Sequence, residues 1–118
     1  MASTLLAGDS RLGFVKADGR WWIEESGGAR HGSPSDEEVF VGADIGYLGR
    51  HRIGNRTVVH IAGIHTMGAL GVVDYLTKHL GDLYAETKDA DFSCVIRCEY
   101  DTPLDVTGSS LLAGPFLR

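Results

Sequence analysis

The segment 57–100 carries the longest regular pattern in the chain, and that pattern limits what the rest can fold into. A nearly apolar run, Thr57-Val58-Val59-His60-Ile61-Ala62-Gly63, comes first. It reads as a strand covered on both faces, with His60 its only strongly polar member. Thr66 is placed to cap a helix that runs to about Glu86. The apolar positions Ala69, Val72, Val73, Leu76, Leu80, Leu83 and Tyr84 keep the spacing of a single helical stripe. Asp74, Lys78 and Asp82 fall together on the opposite face. Phe92 to Tyr100 then alternates, with Phe92, Cys94, Ile96, Cys98 and Tyr100 on one side. A strand–helix–strand unit with a connection of about 28 residues is long enough for a right-handed parallel crossover.

The front of the chain predicts antiparallel pairs. Asp18-Gly19 separates two β-prone runs and marks a hairpin over about 12–25. Residues 26–38 contain no apolar pattern and read as a long surface loop, with residues 1–10 a loose lead-in. Val39-Phe40-Val41 and Asp44 to Arg52 are β-prone, and Ile53-Gly54-Asn55-Arg56 supplies a turn before the apolar run. Val106 to Leu112 is a weaker strand, followed by an irregular tail. The expected fold is one α/β domain over 1–118: a mixed sheet, with antiparallel hairpins followed by a β-α-β unit and one long helix. A single helix covers only part of one sheet face. The doubly apolar strand therefore predicts a further cover, such as a second subunit.

Charge and composition narrow the function classes. The 118 residues include 16 acidic and 11 basic side chains, for a net charge of −5. That balance gives no reason to expect direct nucleic-acid binding. No apolar run reaches the roughly 18–20 residues needed to span a bilayer, and the first residues lack the features of a secretory signal. Two cysteines are too few for a disulfide scaffold, so a reducing, cytoplasmic setting is expected. Glycine is the outlier, at 16 residues against only 3 prolines, which predicts tight turns and close backbone approaches.

Three of those glycines, Gly63, Gly68 and Gly71, frame the turn from strand to helix. Ligands in α/β sheets bind beyond the carboxyl ends of strands, and a helix N-terminus suits an anion. Gly63, His65, Thr66 and Gly68 are therefore the candidate ligand-binding residues, for a small molecule or nucleotide. The spacing matches neither the P-loop nor the dinucleotide fingerprint, and close strand–helix packing explains the same glycines. His65 is the best candidate for an exposed functional imidazole. The spacing selects no catalytic carboxylate from Asp44, Glu86, Glu99 and Asp101, no metal cluster appears, and no cofactor is implied. Arg50, Arg52 and Arg56, with His51, form the one basic cluster, with no acid nearby in sequence. They are a possible contact for an anion or an acidic partner, or solvated arginines at a hairpin tip.

Three stretches carry a resemblance: Asp44-Ile45-Gly46-Tyr47-Leu48-Gly49-Arg50, His60 to Leu76, and Phe92 to Asp101. Together they resemble the C-terminal region of actinobacterial regulators of the Xre helix-turn-helix type, over about residues 44–112. No helix-turn-helix segment precedes residue 40. The resemblance implies a non-enzymatic sensor or assembly domain that self-associates or works with a regulator or effector protein. It transfers no catalytic residue. The alternative is a small Rossmann-like nucleotide-processing enzyme, resembling an N-glycosidase or deoxyribosyltransferase, with its site at the Gly63–Gly71 turn.

Overall fold

Positive φ at Asp18 (55°) and Gly19 (78°) closes the first hairpin, as the Asp-Gly pair predicts. β1 (Leu12–Ala17) pairs antiparallel with β2 (Arg20–Glu25), and β2 pairs onward with β3 (Arg30–Gly32). The computed structural model describes residues 9–37, 42–101 and 105–117. The lead-in 1–8, the run Val39-Phe40-Val41 and Pro103 lie outside the described residues.

The second sheet is built from β4 (Ala43–Ile53), β5 (Arg56–Gly63), β6 (Phe92–Tyr100) and β7 (Val106–Leu117). Their order is β5-β4-β6-β7, and every neighbouring pair is antiparallel. Helix α1 (Thr66–Thr87) packs against this sheet. The mixed α/β class is thus as expected: among the described residues, seven strands in two antiparallel sheets, with one long helix. The crossover differs from expectation. β5 and β6 do run parallel, but β4 lies between them, so the unit 57–100 makes no parallel pair.

Strand alternation divides the core in two. Ile45, Tyr47 and Val95 turn toward the small sheet and pack with Leu12, Phe14 and Ile23. Leu48, Phe92, Cys94 and Ile96 turn the other way and pack with Val72 and Leu83 of α1. The four-stranded sheet is therefore the middle of three layers. β4 is buried from Ala43 to Gly49, and β6 from Phe92 to Ile96. These are the strands covered on both faces. The expectation that 57–63 plays that part is corrected: β5 is an edge strand with Val58 and Val59 exposed. An apolar run alone does not say where in the sheet a strand lies.

Two further corrections concern polar segments. Within 26–38 the chain forms β3 and a 3-10 turn, Pro34–Asp36, rather than a continuous loop. β7 extends through Gly114-Pro115, a cis peptide, to Leu117, where an irregular tail was expected. In both segments backbone pairing with a neighbouring strand overrides poor strand propensity.

Glycines seat the helix. A methyl group at Gly68 would overlap the Ile45 carbonyl, one at Gly71 would overlap Cys98, and one at Gly46 would overlap the Gly68 carbonyl. The backbone of α1 thus lies directly on β4 and β6. Asp74, expected on the outer face, instead accepts a hydrogen bond from Ser109 Oγ of β7 at 2.6 Å. The contact face of α1 is therefore centred on Gly68, Gly71 and Val72. Val73, Leu80 and Tyr84 lie roughly 80–120° round the helix from Val72. They are left at 50 %, 62 % and 52 % exposure. The helical path also departs from ideal at His79 (φ −126°, ψ 15°), whose ring rests against Tyr75.

Candidate functional site

The turn from β5 into α1 is held by a carboxylate from another strand. Asp44 of β4 is fully buried, and its Oδ2 accepts the backbone N–H groups of His65 (3.0 Å) and Gly68 (2.7 Å). The first N–H groups of any helix lack partners within it, and Asp44 supplies what an N-cap side chain would. Thr66, expected to cap, does not: the cap position is His65, which makes no side-chain cap bond. The candidate ligand-binding residues Gly63, His65, Thr66 and Gly68 therefore do share one corner. At that corner the N–H groups of His65 and Gly68 are already satisfied by the protein's own anion. Gly63 lies against the backbone of His65 and Ala69, so its missing side chain serves the turn.

His65 also gains a carboxylate that sequence spacing could not select. Asp36, in the 3-10 turn, holds the His65 Nε2 at 2.7 Å from its Oδ1. Asp36 Oδ2 and Asp44 Oδ1 are buried without a hydrogen-bond partner. Among the described residues no group of three His, Cys, Asp or Glu is placed to hold a metal ion.

The basic cluster divides. Arg50 is turned inward: its guanidinium lies over the Phe92 ring and donates to the carbonyls of Lys88 and Ala90, beyond the C-terminus of α1. The backbone N–H of Arg52 donates to Asp91 Oδ1 at 3.0 Å, so an acid absent nearby in sequence is close in space. Arg52 and Arg56 are exposed at the hairpin tip.

On the opposite face of β4, Tyr47 is fully buried, with its hydroxyl 2.6 Å from Asp9 Oδ2 and 2.7 Å from His51 Nε2. His60 meets the same ring edge-on. A Cβ at Gly49 would fall on the Tyr47–His51 bridge, so glycine there keeps the bridge open. Burial works to raise the pKa of Asp9. Hydrogen bonds from the Tyr47 hydroxyl and the N–H groups of Arg11 and Leu12 outweigh it, and the carboxyl settles below its ordinary value of 3.8. Ser93 Oγ lies near enough to assist, although it makes no hydrogen bond of normal geometry.

Cys94 and Cys98 are free, buried thiols. Burial first, then nearby carboxylates, push them up to about 12 and about 11. They are neutral core groups at neutral pH, neither nucleophiles nor ligands.

An apolar groove lies at the β5 edge. Val59, Leu76, Leu80, Leu83 and Tyr84 line a shallow groove of about 100 Å³, with Arg50 at its rim. Val59 is 55 % exposed, and Leu80 and Tyr84 more than half. Sequence periodicity assigned Leu80 and Tyr84 to the core. The signal that could have moved them is the glycine pair Gly68 and Gly71, which marks where the helix backbone touches the sheet.

No protein-family model matches this chain, no curated protein matches it, and no solved structure matches it. No helix of the described residues is long and apolar enough to cross a membrane.

Proposed function

We propose that this chain is a non-enzymatic regulatory module that acts through protein association, at the face formed by β5 and the Val73–Leu80–Tyr84 side of α1. The single observation that carries the reading is that groove and its exposed apolar rim. Contiguous apolar surface of this kind marks interaction sites more often than random exposure does. The reading agrees with what the resemblance to the C-terminal regions of Xre-type regulators implies, and with a cytoplasmic setting for two unpaired thiols. A photo-crosslinking residue at position 80, in the cells that make the protein, tests it. A discrete crosslinked species, with this chain or with another protein, is the expected result. A folded chain that yields no such species overturns the reading.

One observation favours the enzyme alternative: Asp36 orients the exposed His65 imidazole. A phosphate at the same corner would have to displace Asp44 from the helix N-terminus, which makes this the weaker reading. Turnover of nucleotides by the wild type, lost in His65→Ala and in Asp36→Asn, would establish it. Absence of turnover would remove it.

A further inference from the structure

We propose that the partner at this face is a second copy of the chain. In this arrangement, two β5 strands pair antiparallel about a two-fold axis at Val59 and join the four-stranded sheets into one. The inference rests on the association reading above and names its partner.

The backbone pattern of β5 sets the geometry. Ile64 N–H donates to the Ile45 carbonyl, and the β4–β5 register runs on from that pair. Antiparallel partners alternate between bonded and non-bonded pairs. Ala62, His60 and Val58 therefore exchange bonds with β4, while Thr57, Val59 and Ile61 turn their N–H and C=O groups outward. With Val59 opposite its own copy, Thr57 stands opposite Ile61 of the partner and Ile61 opposite Thr57. This array is self-complementary, as a two-fold interface requires.

The edge also lacks the devices that keep strands apart. Proline, charge and bulges blunt edge strands. Thr57 to Gly63 has no proline and no formal charge, and its ladder with β4 shows no register shift. The opposite edge, β7, carries Pro115 and three shifts against β6. Charge at β5 is carried by its first residue, Arg56, by Arg52 opposite Thr57, and by Arg50 opposite Val59, whose guanidinium is engaged by the Phe92 ring and the Lys88 and Ala90 carbonyls. Antiparallel pairing puts the two Arg56 residues six positions apart along the seam, roughly 20 Å, more than two Debye lengths at physiological salt.

Size fits as well. With Val59 on the axis, residues 56–62 of the two copies face each other over about 24 Å, and sheet plus helix stand about 20 Å high, so two copies bury about 950 Å² in total, close to the roughly 1,000 Å² of a specific interface. Val59 lies beneath Leu80 and Tyr84 in the groove, so their apolar surface would extend the seam upward from the strands.

Sedimentation equilibrium and cysteine crosslinking test the proposal. The wild type is expected at twice the 12.7 kDa chain mass. Val59→Cys is expected to form a disulfide-linked dimer under mild oxidation, and Arg56→Cys is not. Val59→Pro removes an outward N–H without breaking the ladder to β4, and should give monomer. Val59→Lys should do the same if the proline disturbs folding, and circular dichroism melts confirm that each variant is folded. A wild type that stays monomeric at about 100 μM, or a dimer in which Val59→Cys fails to crosslink, overturns the proposal. If the position-80 crosslink then captures a different protein, the association reading stands and only the second copy falls. If it captures nothing, both fall.

Discussion

At the residue scale, Asp44 carries the most consequence. It looks like one free acid among several in the sequence, yet it is buried on β4 and caps a helix 21 positions downstream in the chain. Asp44→Ala leaves the His65 N–H without an acceptor and the Gly68 N–H with only the His65 carbonyl, and should destabilise the protein by about 1–3 kcal/mol in urea denaturation. Asp44→Asn keeps an acceptor and should lose less. The cysteines give a second expectation. With both thiols pushed well above neutrality by burial, a thiol reagent at pH 8 should leave the folded chain unlabelled and modify both residues after denaturation. Rapid labelling of the native protein would mean that β6 opens far more readily than its burial implies. Neither role was legible in the sequence in the same way. Alternation placed Cys94 and Cys98 on the core face correctly, because it is a local property. The partner of Asp44 depends on which strand the helix start lands upon, and no local pattern records that.

At the scale of elements, the helix shows how far periodicity reaches. It located α1 to within a residue at its C-terminus, since an apolar stripe that long has few alternatives. It gave the buried face in part: Val72, Leu76 and Leu83 pack on the sheet, while Val73, Leu80 and Tyr84 stand exposed. Hydrophobic periodicity counts large side chains and gives no weight to Gly68 and Gly71, which make the closest contact. The glycines of α1 are accordingly not equivalent. Gly71→Ala would press a methyl into Cys98 and should cost about 1–3 kcal/mol. Nothing lies within 4 Å of a Cβ at Gly81, so Gly81→Ala should stabilise by about 0.5–1 kcal/mol. Thermal melts of the two variants should move in opposite directions, and shifts of the same sign would contradict this seating. The same limit explains β5. An apolar strand reads alike whether it is central or at an edge, and only the pairing order distinguishes the two.

At the scale of the whole molecule, Asp9 ties the start of the chain's first hairpin to the middle layer. Its carboxylate takes the Tyr47 hydroxyl of β4 and the N–H groups that lead into β1, while Arg11 lies over the Phe116 ring of β7. Its pKa is lowered in the fold, so its contribution is present above the unfolded value of 3.8 and is lost as pH falls through the folded value. Tyr47→Phe removes one of the bonds that lower it. Between about pH 5 and pH 2 the variant should therefore lose less stability than the wild type does. Equal losses would show that the Tyr47 bond is not what holds the carboxyl down. The layer order itself was only half legible. Antiparallel hairpins and one helix follow from turn chemistry and periodicity, whereas the way one sheet covers another depends on contacts between residues far apart in sequence.

β4 holds α1 at both ends, with Asp44 at its first amides and Arg50 at the carbonyls past its last turn. The two clasps stand six residues apart on one strand. The helix is therefore measured against a single ruler, and neither clasp exists until that ruler has been laid down. Opening both clasps would free the helix ends while β4 kept its ladders to β5 and β6. Deuterium exchange should show this as a sequence in time, with amides of α1 opening ahead of those of β4.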